Sequence, residues 1–109
     1  MRITLPSGPE AELAEPADSD DDPAMGLVIT PDIFGLRPLF DDMAARLASV
    51  WSMTVCVVEP FPGLDLGDEV EPRFAAVPSL DDDIHLRDLI EAADATGCDR
   101  VGLLGFCMG

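Results

Sequence analysis

The chain has 109 residues, which is the length of one small domain. Hydrophobic residues make up 48% of it and charged residues 26%, the composition of a globular protein. The formal net charge is −16, from 22 acidic residues against six arginines and no lysine. This charge excludes proteins that bind nucleic-acid phosphates or anionic lipid, because both need a basic surface. The lack of lysine also excludes a P-loop.

The amino end carries no signal-peptide pattern, since Pro6 interrupts it before the roughly 7–15 apolar residues that a signal needs. No apolar run approaches the ~20 residues that cross a bilayer. We therefore expect a cytoplasmic protein with no membrane or nucleic-acid partner. Its cysteines, Cys56, Cys98 and Cys107, are expected to be free thiols in a reducing compartment. With a single histidine and no C-x-x-C pair, no metal site is expected.

Two short apolar segments near the amino end predict a β-hairpin, residues 2–5 and 11–14, because residues 6–9 between them have turn chemistry. An acidic stretch, residues 15–23, then predicts a solvated loop. The acidity of the chain fits either salt adaptation or a GC-rich source.

Three nearly continuous apolar runs predict strands that are buried on both faces: residues 27–30, 54–58 and 100–104. A helix is predicted between the first two, with Pro38 in its first turn, where a missing N–H costs nothing. The spacing of its apolar residues gives one stripe, formed by Leu36, Phe40, Met43, Ala44 and Leu47.

The segment from Phe61 to Pro78 is predicted to be a long loop, because it contains three prolines and two glycines. A second helix is predicted to begin at Ser79 as N-cap, with Asp82 in the capping-box position, and to end at Gly97. Its predicted apolar stripe is Leu86, Leu89, Ile90 and Ala93. Strands that alternate with helices in this way indicate a parallel sheet with right-handed crossovers.

The last five residues, Gly105 to Gly109, have the form G-x-C-x-G and directly follow the third predicted strand. This is the cysteine version of the nucleophile elbow, a strained strand-to-helix turn that exposes a nucleophile at the edge of a sheet where ligands bind. The following helix would favour a thiolate and supply an N–H to an oxyanion. The alternative interpretation is a core cysteine between chance glycines. The glycine spacing does not fit a dinucleotide fingerprint.

The loop at residues 31–35 (sequence PDIFG), the segment at 59–63 (EPFPG) and the cysteine elbow resemble the dienelactone hydrolase family. The resemblance runs from about residue 26 to residue 109. It implies an α/β-hydrolase-like, mostly parallel sheet with an amino-terminal hairpin, truncated at the elbow. Residues 1–109 would then be the incomplete amino-terminal part of one domain, and the reaction would be hydrolysis of small esters or lactones by a Cys–His–Asp triad.

The resemblance also implies roles for individual residues. Cys107 matches the nucleophile, and the backbone N–H groups of Ile33 and Met108 match the oxyanion hole. Asp32 matches an acidic residue, usually glutamate, that contacts the resting thiol. Arg73 lies where the family places a carboxylate-binding arginine, although a solvated loop arginine is an equal alternative. Glu59 stands where relatives tend to have aspartate and has no direct part in the chemistry.

The family's catalytic aspartate and histidine follow the elbow, so the 109 residues alone are expected to be inactive. His85 is predicted to be an exposed helix residue and not the catalytic base. Cys56 is predicted to be a small buried hydrophobe in its strand. The resemblance implies no cofactor. Two other functions stay open: a non-catalytic binding module of flavodoxin-like topology, and a redox-sensing thiol at Cys107.

Overall fold

A computed structural model describes residues 1–16, 25–61, 67 and 69–106. Five strands form one sheet within this part of the chain, and helices pack on it. The elements in chain order are β1 (Arg2–Thr4), β2 (Glu10–Ala14), β3 (Met25–Thr30), α1 (Pro38–Trp51), β4 (Thr54–Val58), α2 (Val70–Ala76), a 3₁₀ turn (Val77–Ser79), α3 (Asp82–Thr96) and β5 (Arg100–Gly105). None of the described helices is long and apolar enough to cross a membrane.

The strand order in the sheet is β1-β2-β4-β3-β5. Strand β3 pairs in parallel with β4 on one side and β5 on the other, whereas the hairpin of β1 and β2 joins β4 antiparallel. Each crossover between the parallel strands contains a helix, the usual form of the long connection that parallel pairing needs. The predicted α/β architecture, a mostly parallel sheet with an amino-terminal hairpin, is confirmed.

The sheet buries both of its faces at the centre because successive side chains of a strand point to opposite sides. Val55 and Val57 of β4 face α1, whose buried side is made by Phe40, Ala44 and Ala48. The remaining faces of β3 and β4 pack on the other side, in a cluster that contains Val28, Cys56, Val58, Leu5, Ala11 and Ala92. The predicted burial of Cys56 is confirmed.

Helix α1 forms as predicted, with Pro38 in its first turn and the predicted stripe buried or half-buried. Helix α3 differs in two respects. Its N-cap is Asp81 and not Ser79: the Asp81 carboxylate accepts hydrogen bonds from the backbone N–H groups of Asp83 and Ile84 at 2.9 and 3.3 Å. Ser79 belongs to the preceding 3₁₀ turn, so the predicted capping box does not form. The predicted C-cap at Gly97 is confirmed by its left-handed φ of 68°.

The predicted apolar stripe of α3 is wrong in part. Leu89 and Ala93 pack against the sheet, but Leu86 and Ile90 are exposed, and the fully buried positions are Asp88, Ala92 and Thr96. Small side chains occupy this face because the helix lies close to the sheet: a Cβ at Gly26 would stand 2.8 Å from the Thr96 hydroxyl. Buried Asp88 is satisfied by the hydroxyl of Ser7, which donates to it at 3.0 Å.

Two further predictions are corrected. The segment from Phe61 to Pro78 is not wholly a loop, because it contains α2 and part of the 3₁₀ turn. Pro72 is compatible with α2 because it occupies the first turn, where its missing N–H has no intrahelical role. Strand β5 is not buried on both faces: Leu103 is 63% exposed, since no described strand pairs with the outer edge of β5 and no described helix covers that side chain.

Candidate functional site

The carboxyl ends of β3 and β5 meet at one edge of the sheet. Thr30 is paired in register with Gly105, and the backbone N–H of Phe106 donates to the Thr30 carbonyl at 3.1 Å. The segment after β3 and the first two residues of the cysteine motif, Gly105 and Phe106, therefore lie side by side, at the edge where open α/β sheets bind ligands. Cys107 and Met108 lie outside the described residues.

The segment after β3, which we call the 32–37 loop, is a tight turn. The Asp32 carboxylate accepts from the backbone N–H of Phe34 at 3.1 Å, and the Gly35 N–H donates to the Asp32 carbonyl at 3.0 Å. Gly35 has φ +69°, a conformation that glycine adopts readily. Within the described part of the chain, the backbone N–H of Ile33 has no acceptor. The hydrogen bonds of the turn among the described residues therefore do not use the donor that the resemblance assigns to the oxyanion hole.

Asp32 is paired with an arginine of its own loop. Arg37 donates to both carboxylate oxygens, at 2.6 and 2.9 Å, in the bidentate arrangement that is strongest for this pair. The Arg37 guanidinium lies 5.4 and 5.1 Å from the ring centres of Phe34 and Phe40. The hydrogen bond from Arg37 lowers the pKa of Asp32, so that its carboxylate is charged.

Arg73 is not a solvated loop arginine, because α2 brings it to the 32–37 loop. Its Nη1 donates to the Ile33 carbonyl at 3.0 Å, while Nε and Nη2 donate to the Gly67 carbonyl at 2.9 and 2.8 Å. Its guanidinium also lies 5.7 Å from the centre of the Phe34 ring. No motif in the sequence places Arg73 beside this loop, whereas the tertiary structure does.

Glu59 is the residue that sequence reasoning left without a role. It directly follows β4, and its Oε1 accepts from the backbone N–H of Leu36 at 3.4 Å. Burial raises the pKa of its carboxyl group. The sequence position of Glu59 could have indicated this contact. Glu59 follows an apolar strand that is parallel to β3, so it must lie at the same sheet edge as the 32–37 loop.

His85 is half-buried and not exposed as predicted. Its Nε2 lies 3.4 Å from the hydroxyl of Thr30, the last residue of β3. Together with Asp88 and Phe61, it lines a cavity of about 360 Å³ between the end of β4 and the start of α3. Within residues 1–16, 25–61, 67 and 69–106, no group of three His, Cys, Asp or Glu side chains could hold a metal ion.

The two described cysteines differ from a catalytic thiol. Cys56 is fully buried, and burial together with the charge of Glu12 raises its pKa to about 11. Cys98 is half-buried beside the end of α3, with its Sγ 3.5 Å from the Thr96 carbonyl. Neither thiol lies at the end of a parallel strand, where an exposed nucleophile would be presented.

Comparison with solved structures places the fold among the dienelactone hydrolases. A crystal structure assigned by name to the dienelactone hydrolases, from Klebsiella pneumoniae subsp. pneumoniae, matches with a TM-score of 0.82 and 21% identity, over 100% of this chain and 50% of its own. A structure named m3DLH matches with a TM-score of 0.73 and 24% identity, over 100% and 49%. The chain has the fold of half of a dienelactone hydrolase structure.

The resemblance expected from the sequence is thereby confirmed at the level of the fold. The chain spans about half the length of the structures that it matches. No protein-family model matches the chain, and no curated protein matches it.

Proposed function

We propose that this chain supplies the amino-terminal part of a hydrolase of small esters or lactones that uses Cys107 as its nucleophile. The observation that carries the proposal is the pairing of Thr30 with Gly105, because it brings the 32–37 loop and the start of the G-x-C-x-G motif to one sheet edge. The fold of half of a dienelactone hydrolase supports the same conclusion.

In the proposed reaction, the Cys107 thiolate attacks the substrate carbonyl carbon and forms a C–S bond. The electron pair of the C=O bond moves to the oxygen, where the backbone N–H groups of Ile33 and Met108 bind the oxyanion. A histidine beyond residue 109 takes the thiol proton as the thiolate forms. When the intermediate collapses, the C–O bond to the leaving oxygen breaks and the histidine returns the proton to that oxygen, which leaves as the alcohol. Water then hydrolyses the thioester and restores the thiol.

Two further residues have proposed roles at this site. Asp32 contacts the resting Cys107 thiol and disfavours a free thiolate until substrate arrives. Arg73 binds a carboxylate of the substrate, supported by its position beside the 32–37 loop. We also propose a cytoplasmic location, which suits the free thiols of Cys56 and Cys98.

The test is a cysteine series in the full-length gene product, assayed with an activated ester such as p-nitrophenyl acetate. Cys107→Ala is expected to abolish turnover, whereas Cys56→Ala and Cys98→Ala retain most of it and serve as matched controls. Full activity in Cys107→Ala would overturn the assignment. If the wild type shows no turnover, and its thiol oxidation is lost in Cys107→Ala, the results would instead favour a redox-sensing thiol at Cys107.

The 109 residues alone are proposed to be inactive, because the histidine and aspartate of the proposed triad are not among them. The measurement is the same assay on residues 1–109. Turnover that depends on Cys107 in this shorter chain would contradict that part of the proposal.

A further inference from the structure

We propose that Glu59 is a positioning residue that holds the 32–37 loop in the shape that keeps the Ile33 N–H available to a substrate oxyanion. Its catalytic consequence rests on the function proposed above, whereas its effect on the loop does not. Glu59 itself touches no substrate in this proposal and acts only through the backbone of the loop.

The first support is the contact between the carboxylate and the loop backbone. Oε1 of Glu59 accepts from the Leu36 N–H at 3.4 Å. A Cβ built on Gly35 would overlap both carboxylate oxygens, so the group lies directly against that residue. Two features therefore favour glycine at position 35: its positive φ and the close approach of the Glu59 carboxylate.

The second support is the burial of the Glu59 carboxyl group, which disfavours its charged form. Its Oε2 is buried and has no hydrogen-bond partner among the described residues. Burial raises the pKa of Glu59, and the charges of Arg73 and Arg2 oppose that shift. A buried acceptor without a partner carries a desolvation cost that an apolar side chain of the same volume avoids, so a structural role of this carboxylate would account for its presence.

The third support is that the loop is held from two sides. Glu59 binds the backbone at Leu36, and Arg73 binds the Ile33 carbonyl at 3.0 Å. Both peptides flank the Phe34–Gly35 turn. An oxyanion donor works only if it is already aimed at the oxygen before the reaction, so a loop fixed at both ends favours the transition state. Loosening it should lower kcat and leave KM nearly unchanged.

The experiment compares three variants of the full-length protein with the wild type. Glu59→Ala removes both acceptors, Glu59→Gln keeps one acceptor oxygen in nearly the same volume, and Glu69→Ala is the matched control at an exposed glutamate before α2. Backbone amide exchange of Gly35 and Leu36 reports the loop directly. Ester hydrolysis then separates kcat from KM.

Glu59→Ala is expected to speed exchange of the Leu36 amide by about tenfold or more and to lower kcat about tenfold, with KM within about twofold. Glu59→Gln should stay within about threefold of the wild type in both measurements, and Glu69→Ala should match the wild type. If Glu59→Ala does not fold, Glu59→Leu, which fills a similar volume without an acceptor oxygen, should produce the same two changes.

The outcomes separate this inference from the proposed function. Unchanged exchange at Gly35 and Leu36 in Glu59→Ala would overturn the positioning role, whatever the activity. Fast exchange with an unchanged kcat would overturn its catalytic consequence. A wild type without Cys107-dependent hydrolysis would refute the proposed function, while the exchange measurements would still decide whether Glu59 holds the loop.

Discussion

Strands β4 and β5 have similar apolar sequences but very different surroundings. All five residues of β4 are buried, because β2 and β3 pair with its two edges and helices α1 and α3 contact it from either face. Strand β5 pairs only with β3 in the described structure, and Leu103 is 63% exposed. An apolar run therefore predicts a strand suited to burial, whereas the number of neighbours decides whether burial is achieved.

The same contrast appears on the two sides of α3. Its sheet-facing side carries the small residues Ala92 and Thr96 together with hydrogen-bonded Asp88, and its outward side carries Leu86 and Ile90. Both sides of the helix carry residues at helical spacing. Periodicity therefore predicts that the larger residues Leu86 and Ile90 are buried, although they are exposed. Close approach to the sheet, seen at Gly26, selects small side chains instead.

The largest expected effect comes from placing a charge in β4. Val57→Asp buries a carboxylate among apolar side chains with no partner, a change that typically costs more than about 4 kcal/mol. We expect the full-length protein to lose its folded state, measured by circular dichroism and soluble yield. The conservative control Val57→Ala should fold with reduced stability. A folded Val57→Asp variant would show that β4 is less enclosed than the structure indicates.

The second prediction concerns β5 in the isolated chain of residues 1–109. Leaving a Leu-sized side chain exposed forfeits roughly 1.5–3 kcal/mol, and an open apolar strand edge promotes aggregation. We expect no cooperative thermal transition for residues 1–109, in contrast to the full-length protein. Leu103→Asp should raise the soluble fraction of the shorter chain.

A cooperative transition of residues 1–109, together with Cys107-dependent turnover, would contradict the proposal that these residues are only part of the functional unit. A lower soluble fraction in Leu103→Asp would mean that the side chain is buried in solution. Either result would remove the contrast between β4 and β5.

The sequence predicted the parts of the fold that local chemistry determines. The strand ranges, the hairpin, helix α1 with Pro38 and the Gly97 cap all depend on side-chain periodicity or on one residue's backbone preference. Helix α2 cannot be recognised from the sequence because its proline and the glycines that precede it are typical of loops. The N-cap was assigned to Ser79 because a capping box favours it, but the 3₁₀ turn takes up that residue and leaves the cap to Asp81.

The sequence predicts residues for the candidate site but not the contacts that those residues make. Gly105, the first residue of the motif, lies beside the start of the 32–37 loop because β3 and β5 are neighbouring parallel strands whose carboxyl ends share one sheet edge. The contacts of Arg73 with Ile33, of Glu59 with Leu36 and of His85 with Thr30 depend on how far α2, β4 and α3 approach this edge. No local pattern in the sequence specifies those distances.

The third prediction compares the thiol of β4 with the thiol that follows β5. Burial holds the pKa of Cys56 at about 11, so iodoacetamide should not modify it in the folded protein near neutral pH. Asp32→Asn removes a negative charge proposed to lie near Cys107, and alkylation of Cys107 should become about threefold to tenfold faster. Arg37 already pairs with Asp32, which keeps the expected effect moderate.

The difference in Cys107 alkylation rate between the wild type and Asp32→Asn should depend on pH through the lowered pKa of Asp32. Its carboxylate is charged at every pH above its usual range, so the difference between wild type and Asp32→Asn should persist throughout neutral pH. It should disappear only as the pH falls through the lowered pKa. An unchanged or slower alkylation rate in Asp32→Asn would count against the proposed contact, and Asp42→Asn on the exposed side of α1 is the control.

The smallest expected effect concerns the start of α3, the helix that covers β4. Asp81 accepts two backbone N–H groups in the first turn, and its charge lies near the positive end of the helix dipole. Asp81→Ala should therefore lower the free energy of unfolding by about 0.5–2 kcal/mol, the usual cost of losing an N-cap. The Ser79 hydroxyl only donates to the Ala76 carbonyl, and its side chain caps no N–H of α3, so Ser79→Ala should cost less than about 0.5 kcal/mol. Urea denaturation of the two full-length variants gives both values under the same conditions. A larger loss of stability for Ser79→Ala than for Asp81→Ala would support the capping box predicted from the sequence. It would mean that α3 begins before residue 82.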